Sequence, residues 1–367
     1  MYVFVTKKLA SAMGIKPDPV STDINPLFSW TANWTNTFDG RKEDMVVLIN
    51  NATRFAVLIY GVRRNQFKDI VKKMTMAIRN TMLAMNIDPE VVDEYMSRAA
   101  EPEFYSNNNP KLTAALNSAA LHSAFTAGRI INDSEGIIKY DDTMGQIVSR
   151  DPVNYSKNFA DGFVPAEEMI KALAELTGKP IYKYRAFEIA VSLDLDIYTA
   201  MRRLIVPADI TFFRLHELLQ RVFGWRNCHL HDFNVLDEKG QNSVARIVAG
   251  EGDLEYDEEA SLEYDRRLSD YFPKYNHIIY TYDMGDNWEH SIELVRVMED
   301  YGEDSPYLLE AFGQTPPEDV GGVHGFVEFR EIMLDPKHPD HANTKEWVRY
   351  WSPELSEWEL RPKILHL

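Results

Sequence analysis

Two runs of alternating aromatic and polar residues, joined by a short polar turn, constrain the fold of this chain more than any other stretch. The runs lie within residues 280–294 and meet at Asp283-Met284-Gly285-Asp286-Asn287. Alternation with a period of two is typical of half-buried strands, and turns favour Asp, Asn and Gly. The stretch therefore predicts a β-hairpin with strands over 277–282 and 288–298, in which Gly285 takes the positive φ angle of the turn.

Other periodicities divide the chain into two α+β domains. Apolar residues at helical spacing predict helices over residues 66–85 and from Thr211 to Gly224, whereas β-branched runs predict a hairpin over 45–62. A length of 367 residues exceeds a single average core. The periodicity changes at Lys179-Pro180, so we predict domains 1–180 and 181–367, each a mixed or antiparallel sheet packed with helices.

The acidic character of the chain is concentrated in its second half. Of the net charge of −18, residues 1–180 carry −1 and residues 181–367 carry −17. An acidic field repels a phosphate backbone, so a protein or small-molecule partner is favoured over nucleic acid for the second domain. The chain has no long apolar span and a single cysteine, Cys228. These features predict a cytoplasmic protein with no membrane segment and no internal disulfide.

Polar residues that can carry chemistry cluster in three segments of the second domain. A strand predicted over residues 229–235 would place His229 and His231 on one face. The hairpin adds acids and aromatics, and Pro316-Pro317-Glu318-Asp319-Val320-Gly321-Gly322 precedes a helix predicted from about residue 326. The candidate binding residues are His229, His231, Asp283, Asp286, Trp288, His290, Glu318, Asp319, Gly321 and Gly322.

Three interpretations of these residues remain open. A binding module would use the acidic surface, or the amides of Gly321 and Gly322 would receive an anionic ligand. A metal-dependent hydrolase would use imidazoles and carboxylates to bind a divalent ion such as Zn²⁺, Mn²⁺ or Mg²⁺. A purely structural role would make Trp288 a core residue and Glu318 and Asp319 the cap of a helix. Of these three, the residues favour the binding module, because they include no motif with a defined mechanism.

Four motifs in the second half resemble a known family. Trp225 with His229-Leu230-His231-Asp232-Phe233, the stretch from Tyr282 to His290, the Pro-Pro-Glu-Asp-Val-Gly-Gly segment, and Asp335-Pro336-Lys337-His338-Pro339-Asp340-His341 are similar to motifs of the plasmid-Ri open-reading-frame-three-like family. The resemblance implies a compact α+β fold and an association with mobile elements, but no settled reaction. Many relatives carry a cysteine pair where this chain has Leu308 and Thr315, so a thiolate site built from that pair is absent.

A second, shorter resemblance concerns the beginning of the chain. Lys7-Lys8-Leu9 and Trp30-Thr31-Ala32-Asn33 are similar to motifs of a small domain of unknown function over about the first 85 residues, which implies no activity. Together the observations predict a mobile-element-associated accessory protein that acts as a binding module. The alternative is a metal-dependent hydrolase of nuclease or phosphoesterase type.

Overall fold

The computed structural model divides the chain into two compact units, Met1–Lys183 and Tyr184–Leu367. It describes residues 1–19, 24–36, 42–125, 131–132, 139–140, 144–153, 162–254, 257, 259–349 and 351–365, without the side chains of 120–125, 131–132, 139–140 and 358. Both units combine helices with a sheet, which confirms the predicted α+β class.

The first unit is built on a mixed sheet, which has five strands in the described part of the chain, in the order β4-β3-β2-β1-β5. Strand β1 is parallel to β2 and β5, and β2, β3 and β4 are antiparallel neighbours. The strands are β1 (Tyr2–Val5), β2 (Ser29–Thr35), β3 (Met45–Asn50), β4 (Ala56–Tyr60), β5 (Glu103–Ser106) and the separate pair β6 (Ile131–Asn132) and β7 (Lys139–Tyr140). The helices are α1 (Lys7–Met13), α2 (Ile70–Ala84), α3 (Pro89–Ala99), α4 (Pro110–Phe125), α5 (Met144–Arg150) and α6 (Pro165–Thr177).

Strand β3 is buried on both faces, because helices cover both sides of this sheet. Val46 and Leu48 pack in the same apolar cluster as Ile78 of α2, whereas Val47 packs with Leu116 of α4 on the other side. When successive side chains of a strand point into two different cores, all of them are apolar and the sequence shows a continuous apolar run. The helix predicted over residues 66–85 is observed as α2, which begins four residues later.

The second unit contains a sheet that is antiparallel except for one edge pair. Over the described residues its order is β12-β11-β10-β13-β14-β8-β9-β15-β16, and β11 and β12 are the parallel pair. The strands are β8 (Tyr184–Asp194), β9 (Thr199–Pro207), β10 (His231–Leu236), β11 (Ser243–Val248), β12 (Ser261–Leu262), β13 (His277–Tyr282), β14 (Trp288–Tyr301), β15 (Tyr307–Phe312) and β16 (Lys363–Ile364). The helices are α7 (Phe212–Phe223), α8 (Glu251–Leu254), α9 (Gly322–Leu334), α10 (His341–Trp347) and α11 (Glu357–Leu360).

The predicted hairpin is confirmed as β13 and β14, in which Tyr282 lies opposite Trp288 and Tyr280 opposite His290. The turn itself differs from the prediction. The positive φ angles belong to Asp283 (58°) and Asn287 (55°) rather than to Gly285. Asp and Asn tolerate this conformation because their short side chains bond the local backbone.

Helix α7 supports the sheet directly beneath the hairpin. The Thr211 side chain accepts a hydrogen bond from the Arg214 amide, and Gly224 ends the helix with φ 74°. Leu215, Leu218 and Leu219 of the apolar stripe of α7 are fully buried in the same core as Phe233 and Tyr280. The helix therefore delivers the loop that follows Gly224 to the end of the hairpin strands.

Two boundaries correct the sequence-based predictions. Strand β10 begins at His231, so His229 lies in the preceding loop and does not share a strand face with His231. Helix α9 begins at Gly322 rather than near residue 326. As for the membrane, none of the helices in the described ranges combines the length and the apolar character needed to cross one.

Candidate metal centre

Three loops of the second unit carry the polar residues of one cluster. They are the loop over residues 225–230 after α7, the hairpin turn over 283–287, and the segment 315–321 before α9. The cluster consists of the side chains of His229, Asp283, Glu318 and Asp319, and Cys228 lies beside it. Loops held by a rigid scaffold are common positions for binding residues.

Asp283 is held by the turn that it helps to form. Its Oδ1 accepts hydrogen bonds from the amides of Gly285 (2.9 Å) and Asp286 (3.3 Å), and its own amide donates to the Leu230 carbonyl (2.9 Å). This Asx-type turn uses one carboxylate oxygen only. The other, Oδ2, faces His229 Nε2 at 3.5 Å.

Glu318 is likewise bonded through one oxygen. Its Oε1 accepts hydrogen bonds from the Arg226 amide (2.6 Å) and the Tyr282 hydroxyl (3.2 Å). Its Oε2 is buried and has no hydrogen-bond partner among the described residues. The side chain is only 7% exposed. A buried carboxylate oxygen without a partner costs free energy, because it loses its hydrogen bonds to water and gains none from the protein. Glu318 therefore does not cap α9; it presents an unused ligand atom to the cluster.

His229 lies at the centre of the acids. Its Nε2 is 3.2 Å from Asp319 Oδ1, 3.5 Å from Asp283 Oδ2 and 3.7 Å from Glu318 Oε2. This nitrogen is buried, and within the described part of the chain none of these contacts has the geometry of a hydrogen bond. Three carboxylate oxygens thus converge on one imidazole nitrogen.

Tyr282 connects two of the loops. Its hydroxyl accepts from the Cys228 amide (3.1 Å) and donates to Glu318 Oε1. Burial raises the pKa of Tyr282, so the hydroxyl keeps its proton and remains a donor to Glu318. The hydroxyl therefore fixes the orientation of Glu318 and the position of Cys228 together.

A closed ring of buried hydrogen bonds anchors the loop after α7. Burial lowers the pKa of His216 to about 3, so its ring is neutral and carries a single proton. Since the Asn227 side-chain oxygen can only accept, His216 Nε2 donates to it and Nδ1 accepts from Tyr280. The ring consists of Gln220 Nε2 to Tyr280 Oη, Tyr280 Oη to His216 Nδ1, His216 Nε2 to Asn227 Oδ1, and the Asn227 amide to Gln220 Oε1, at 2.7–2.9 Å. This ring holds Asn227 with φ 53°, directly before Cys228 and His229.

Comparisons with known proteins assign this domain. The family described as plasmid pRiA4b ORF-3-like protein matches residues 185–359. The uncharacterized protein y4hQ of Sinorhizobium fredii is 40% identical over 159 residues, which cover 43% of this chain and 78% of that relative. The chain belongs to the plasmid pRiA4b ORF-3-like family. The resemblance deduced from the four sequence motifs is thereby confirmed.

Two further matches accompany this assignment to the plasmid pRiA4b ORF-3-like family. A domain of unknown function, DUF6933, matches residues 2–168, which confirms the resemblance in the first half and extends it beyond the first 85 residues. The crystal structure of a protein of unknown function, MM3350 from Methanosarcina mazei Go1, covers 48% of this chain and 98% of its own, with 28% identity and a TM-score of 0.43.

Two histidines of the plasmid pRiA4b ORF-3-like domain, predicted as candidates, do not join the cluster. His231 Nε2 bonds Glu263 at 2.8 Å, and its ring stacks on His216 with a centroid distance of 3.5 Å. His290 is fully buried; its Nδ1 bonds the Trp288 carbonyl at 3.0 Å, and its Nε2 accepts from the Trp225 indole at 3.4 Å. Both ring nitrogens of His290 are occupied, and burial lowers its pKa to about 4.

The remaining candidates of the plasmid pRiA4b ORF-3-like motifs pack in the core or hold the turn against α9. Trp288 is fully buried and stacks on Trp225 with a centroid distance of 5.7 Å. Asp286 Oδ2 accepts from the Gly321 amide at 3.0 Å, so a side chain of the chain itself takes this donor, which had been predicted to receive an external anion. At Gly322, φ is 69° and an added Cβ would lie 2.8 Å from the Asp286 carbonyl oxygen. The turn and the start of α9 are therefore packed against each other.

Sequence reasoning about this plasmid pRiA4b ORF-3-like chain missed three contributors: Cys228, Tyr282 and His216. The sequence places Tyr282 at the end of a predicted strand, directly before Asp283, and this position is a usable signal for a role at the turn. Cys228 was considered only as evidence against a disulfide. His216 lies within the apolar stripe of α7, where the pattern gives no sign of a polar ring.

Proposed function

We propose that the second domain is a binding module that holds a divalent metal ion and recognises a small-molecule partner through that ion. The observation that carries the proposal is the convergence of Asp283 Oδ2, Glu318 Oε2 and Asp319 Oδ1 on His229 Nε2, within 3.7 Å. A neutral imidazole and carboxylates are common ligands of zinc and related ions.

The spacing of the ligand atoms favours a metal ion over an organic cation. Ligands that lie 2.0–2.2 Å from a tetrahedral ion are about 3.3–3.6 Å apart. Acceptors arranged around an ammonium group at about 2.8 Å would be about 4.6 Å apart. The distances from His229 Nε2 to each carboxylate oxygen, 3.2–3.7 Å, are those expected between His229 and a neighbouring ligand in the first arrangement. Around His229, the aspartates form one group of possible ligands, and Glu318 forms another with Cys228.

Charge gives a second argument for a cation. Carboxylate oxygens of Asp283 and Asp319 lie within 4.8 Å of each other beside His229, and ionised carboxylates that share a site repel each other unless a positive charge lies between them. A divalent ion supplies that charge and uses His229 Nε2 and Glu318 Oε2, two atoms that have no hydrogen-bond partner in the described part of the chain. The hydrogen bonds from Tyr282 and Arg226 then act as the outer contacts that orient a ligand carboxylate.

The cluster is open on one side, which indicates where a partner would approach. The Asp319 side chain is 69% exposed, and Cys228 is exposed beside it. An ion held from the protein side therefore keeps a coordination position for an anionic group of a small molecule. The same opening favours the second candidate, a metal-dependent hydrolase, because catalytic zinc sites keep an open position for water or substrate.

The role of accessory protein of a mobile element is also a proposal. It is supported by the plasmid reading frame named in the description of the family. It adds nothing to the chemistry of the cluster and is independent of it.

Calorimetric titration of the chelator-treated protein with Zn²⁺ and Mn²⁺ tests the metal site. We expect one ion per chain and, for Glu318→Gln, an affinity weaker by at least about a hundredfold, because a direct ligand is lost. Glu310→Gln, an exposed acid on β15, serves as the matched control and should bind as the wild type does. Absence of binding, or equal binding by Glu318→Gln, would refute the proposal. In the presence of Zn²⁺ or Mn²⁺, hydrolysis of generic phosphoester substrates that is lost in Glu318→Gln would favour the hydrolase.

A further inference from the structure

The exposed thiol of Cys228 lies at the edge of the proposed metal site. Its Sγ and the ligand atoms of His229 and Glu318 all lie within 4.8 Å of one another. A tetrahedral ion bound to one sulfur and one nitrogen separates these atoms by about 3.5 Å. Rotation about the Cα–Cβ bond of an exposed side chain can move Sγ from within 4.8 Å to that distance.

The backbone at Cys228 is fixed even though its side chain is exposed. The Cys228 amide donates to the Tyr282 hydroxyl at 3.1 Å, and the preceding residue, Asn227, belongs to the buried ring of hydrogen bonds. Among the described residues, Sγ makes one weak polar contact, 3.7 Å from the same hydroxyl. The thiol is thus positioned next to the cluster without a strong competing interaction.

A cysteine alone would not indicate a ligand site. The independent observation is Glu318 Oε2, which is buried, lacks a hydrogen-bond partner among the described residues, and lies 3.7 Å from His229 Nε2. Sulfur, imidazole nitrogen and carboxylate oxygen thus come from Cys228, His229 and Glu318. Thiolate ligands select zinc-like ions, whereas sites made of oxygen atoms alone suit Mg²⁺, Ca²⁺ and Mn²⁺.

We propose that the Cys228 thiolate is a direct ligand of the ion, so that the site takes a zinc-class ion through Cys228 Sγ, His229 Nε2 and Glu318 Oε2. This inference rests on the proposed metal-binding function and specifies its ion. On binding, the sulfur–hydrogen bond of Cys228 breaks, the sulfur–metal bond forms, and the proton passes to solvent. Asp283 and Asp319, whose carboxylates lie 3.5 Å and 3.2 Å from His229 Nε2, balance the charge of the ion.

Cobalt(II) substitution of the full chain tests the inference, because a cobalt–thiolate bond produces an intense near-ultraviolet charge-transfer band. Since Cys228 is the only cysteine in the chain, any such band belongs to it. We expect the band in the wild type and its loss in Cys228→Ser. We also expect the Zn²⁺-to-Mn²⁺ affinity ratio to fall at least about tenfold in that variant, and Zn²⁺ to slow alkylation of Cys228 by iodoacetamide.

The possible failures are distinguishable. If Co²⁺ and Zn²⁺ bind in calorimetry but no thiolate band appears and alkylation is unaffected, Cys228 is not a ligand and the metal-binding function stands. If Co²⁺ and Zn²⁺ do not bind the wild type at all, both proposals are wrong. Cys228→Ser changes an exposed side chain, and a thermal unfolding curve like that of the wild type would show that the variant is folded.

Discussion

The Nε2 atom of His229 and the Oε2 atom of Glu318 face each other across 3.7 Å, and both are buried. The other oxygen of the Glu318 carboxylate, Oε1, accepts hydrogen bonds from the Arg226 amide and the Tyr282 hydroxyl. Buried polar atoms in folded proteins are nearly always paired, and these two atoms have no hydrogen-bond partner among the described residues, which supports the shared ligand proposed above. The predictions below separate that role from a structural one.

Substitutions of Asp283 separate its role in the turn from its role in metal binding. Asp283→Asn keeps an oxygen that can accept hydrogen bonds from the amides of Gly285 and Asp286. The free energy of unfolding of the metal-free variant should therefore lie within about 0.5 kcal/mol of the wild-type value. The charge facing His229 is lost, so the Zn²⁺ affinity measured by calorimetry should fall at least about tenfold. Asp283→Ala also loses the turn acceptor and should in addition destabilise the metal-free protein by about 1–2 kcal/mol. A loss of stability in the Asn variant with unchanged affinity would assign Asp283 to the turn alone.

Tyr282 should act on the ion through Glu318. Tyr282→Phe removes the hydroxyl that donates to Glu318 Oε1 and accepts from Cys228, so the Zn²⁺ affinity should fall about 10- to 100-fold. Tyr184→Phe is a matched control, because its hydroxyl bonds Ser305 and the Glu303 carbonyl instead. Equal affinities of the two variants would show that Tyr282 does not position a ligand.

Gly322 is constrained both by its backbone and by its neighbour. An alanine there would adopt φ 69° and place its Cβ 2.8 Å from the Asp286 carbonyl oxygen. We expect Gly322→Ala to lower the free energy of unfolding by about 1–3 kcal/mol, as measured by urea denaturation. Gly252→Ala should leave it nearly unchanged, since no heavy atom of the described residues lies within 4 Å of the added Cβ. Similar stabilities of the two variants would argue against close packing of the turn on α9.

His290 predicts a pH dependence of stability. Burial lowers its pKa from 6.5 to about 4 in the folded protein, so between these values the unfolded state binds more protons. The contribution of His290 is therefore complete above pH 6.5 and is lost as pH falls towards 4, with a slope of about 1.4 kcal/mol per pH unit. Urea denaturation between pH 7.5 and 4.5 should show a steeper loss for the wild type than for His290→Gln. Parallel profiles would contradict the assignment.

Periodicity in the sequence predicts the framework well, because it reports which face of an element is buried. The alternation around Tyr280 and Tyr282 predicts the hairpin, and the apolar stripe after Thr211 predicts α7. It does not predict where a strand begins. The amides before His231 are taken by the side chains of Glu318, Gln220 and Tyr282, which lie on other elements, and these bonds keep His229 in a loop.

The same limit applies to the candidate site. Its four central residues are all among the sequence candidates, because their polar side chains fall in segments between predicted strands and helices. His231 and His290 have the same residue type, and nothing local distinguishes an imidazole that faces carboxylates from one whose nitrogens bond the interior. Tyr282 and Cys228 were missed because their relation to Glu318 is created only when the three loops meet.

The most direct test of the metal centre is a crystal structure of the zinc-loaded protein with an anomalous difference map recorded above the zinc absorption edge. We predict a single strong peak about 2.0–2.2 Å from His229 Nε2 and Glu318 Oε2, within the cluster that also contains Asp283 and Asp319. A map with no peak among these four side chains, or with zinc held only elsewhere on the surface, would contradict the proposed function.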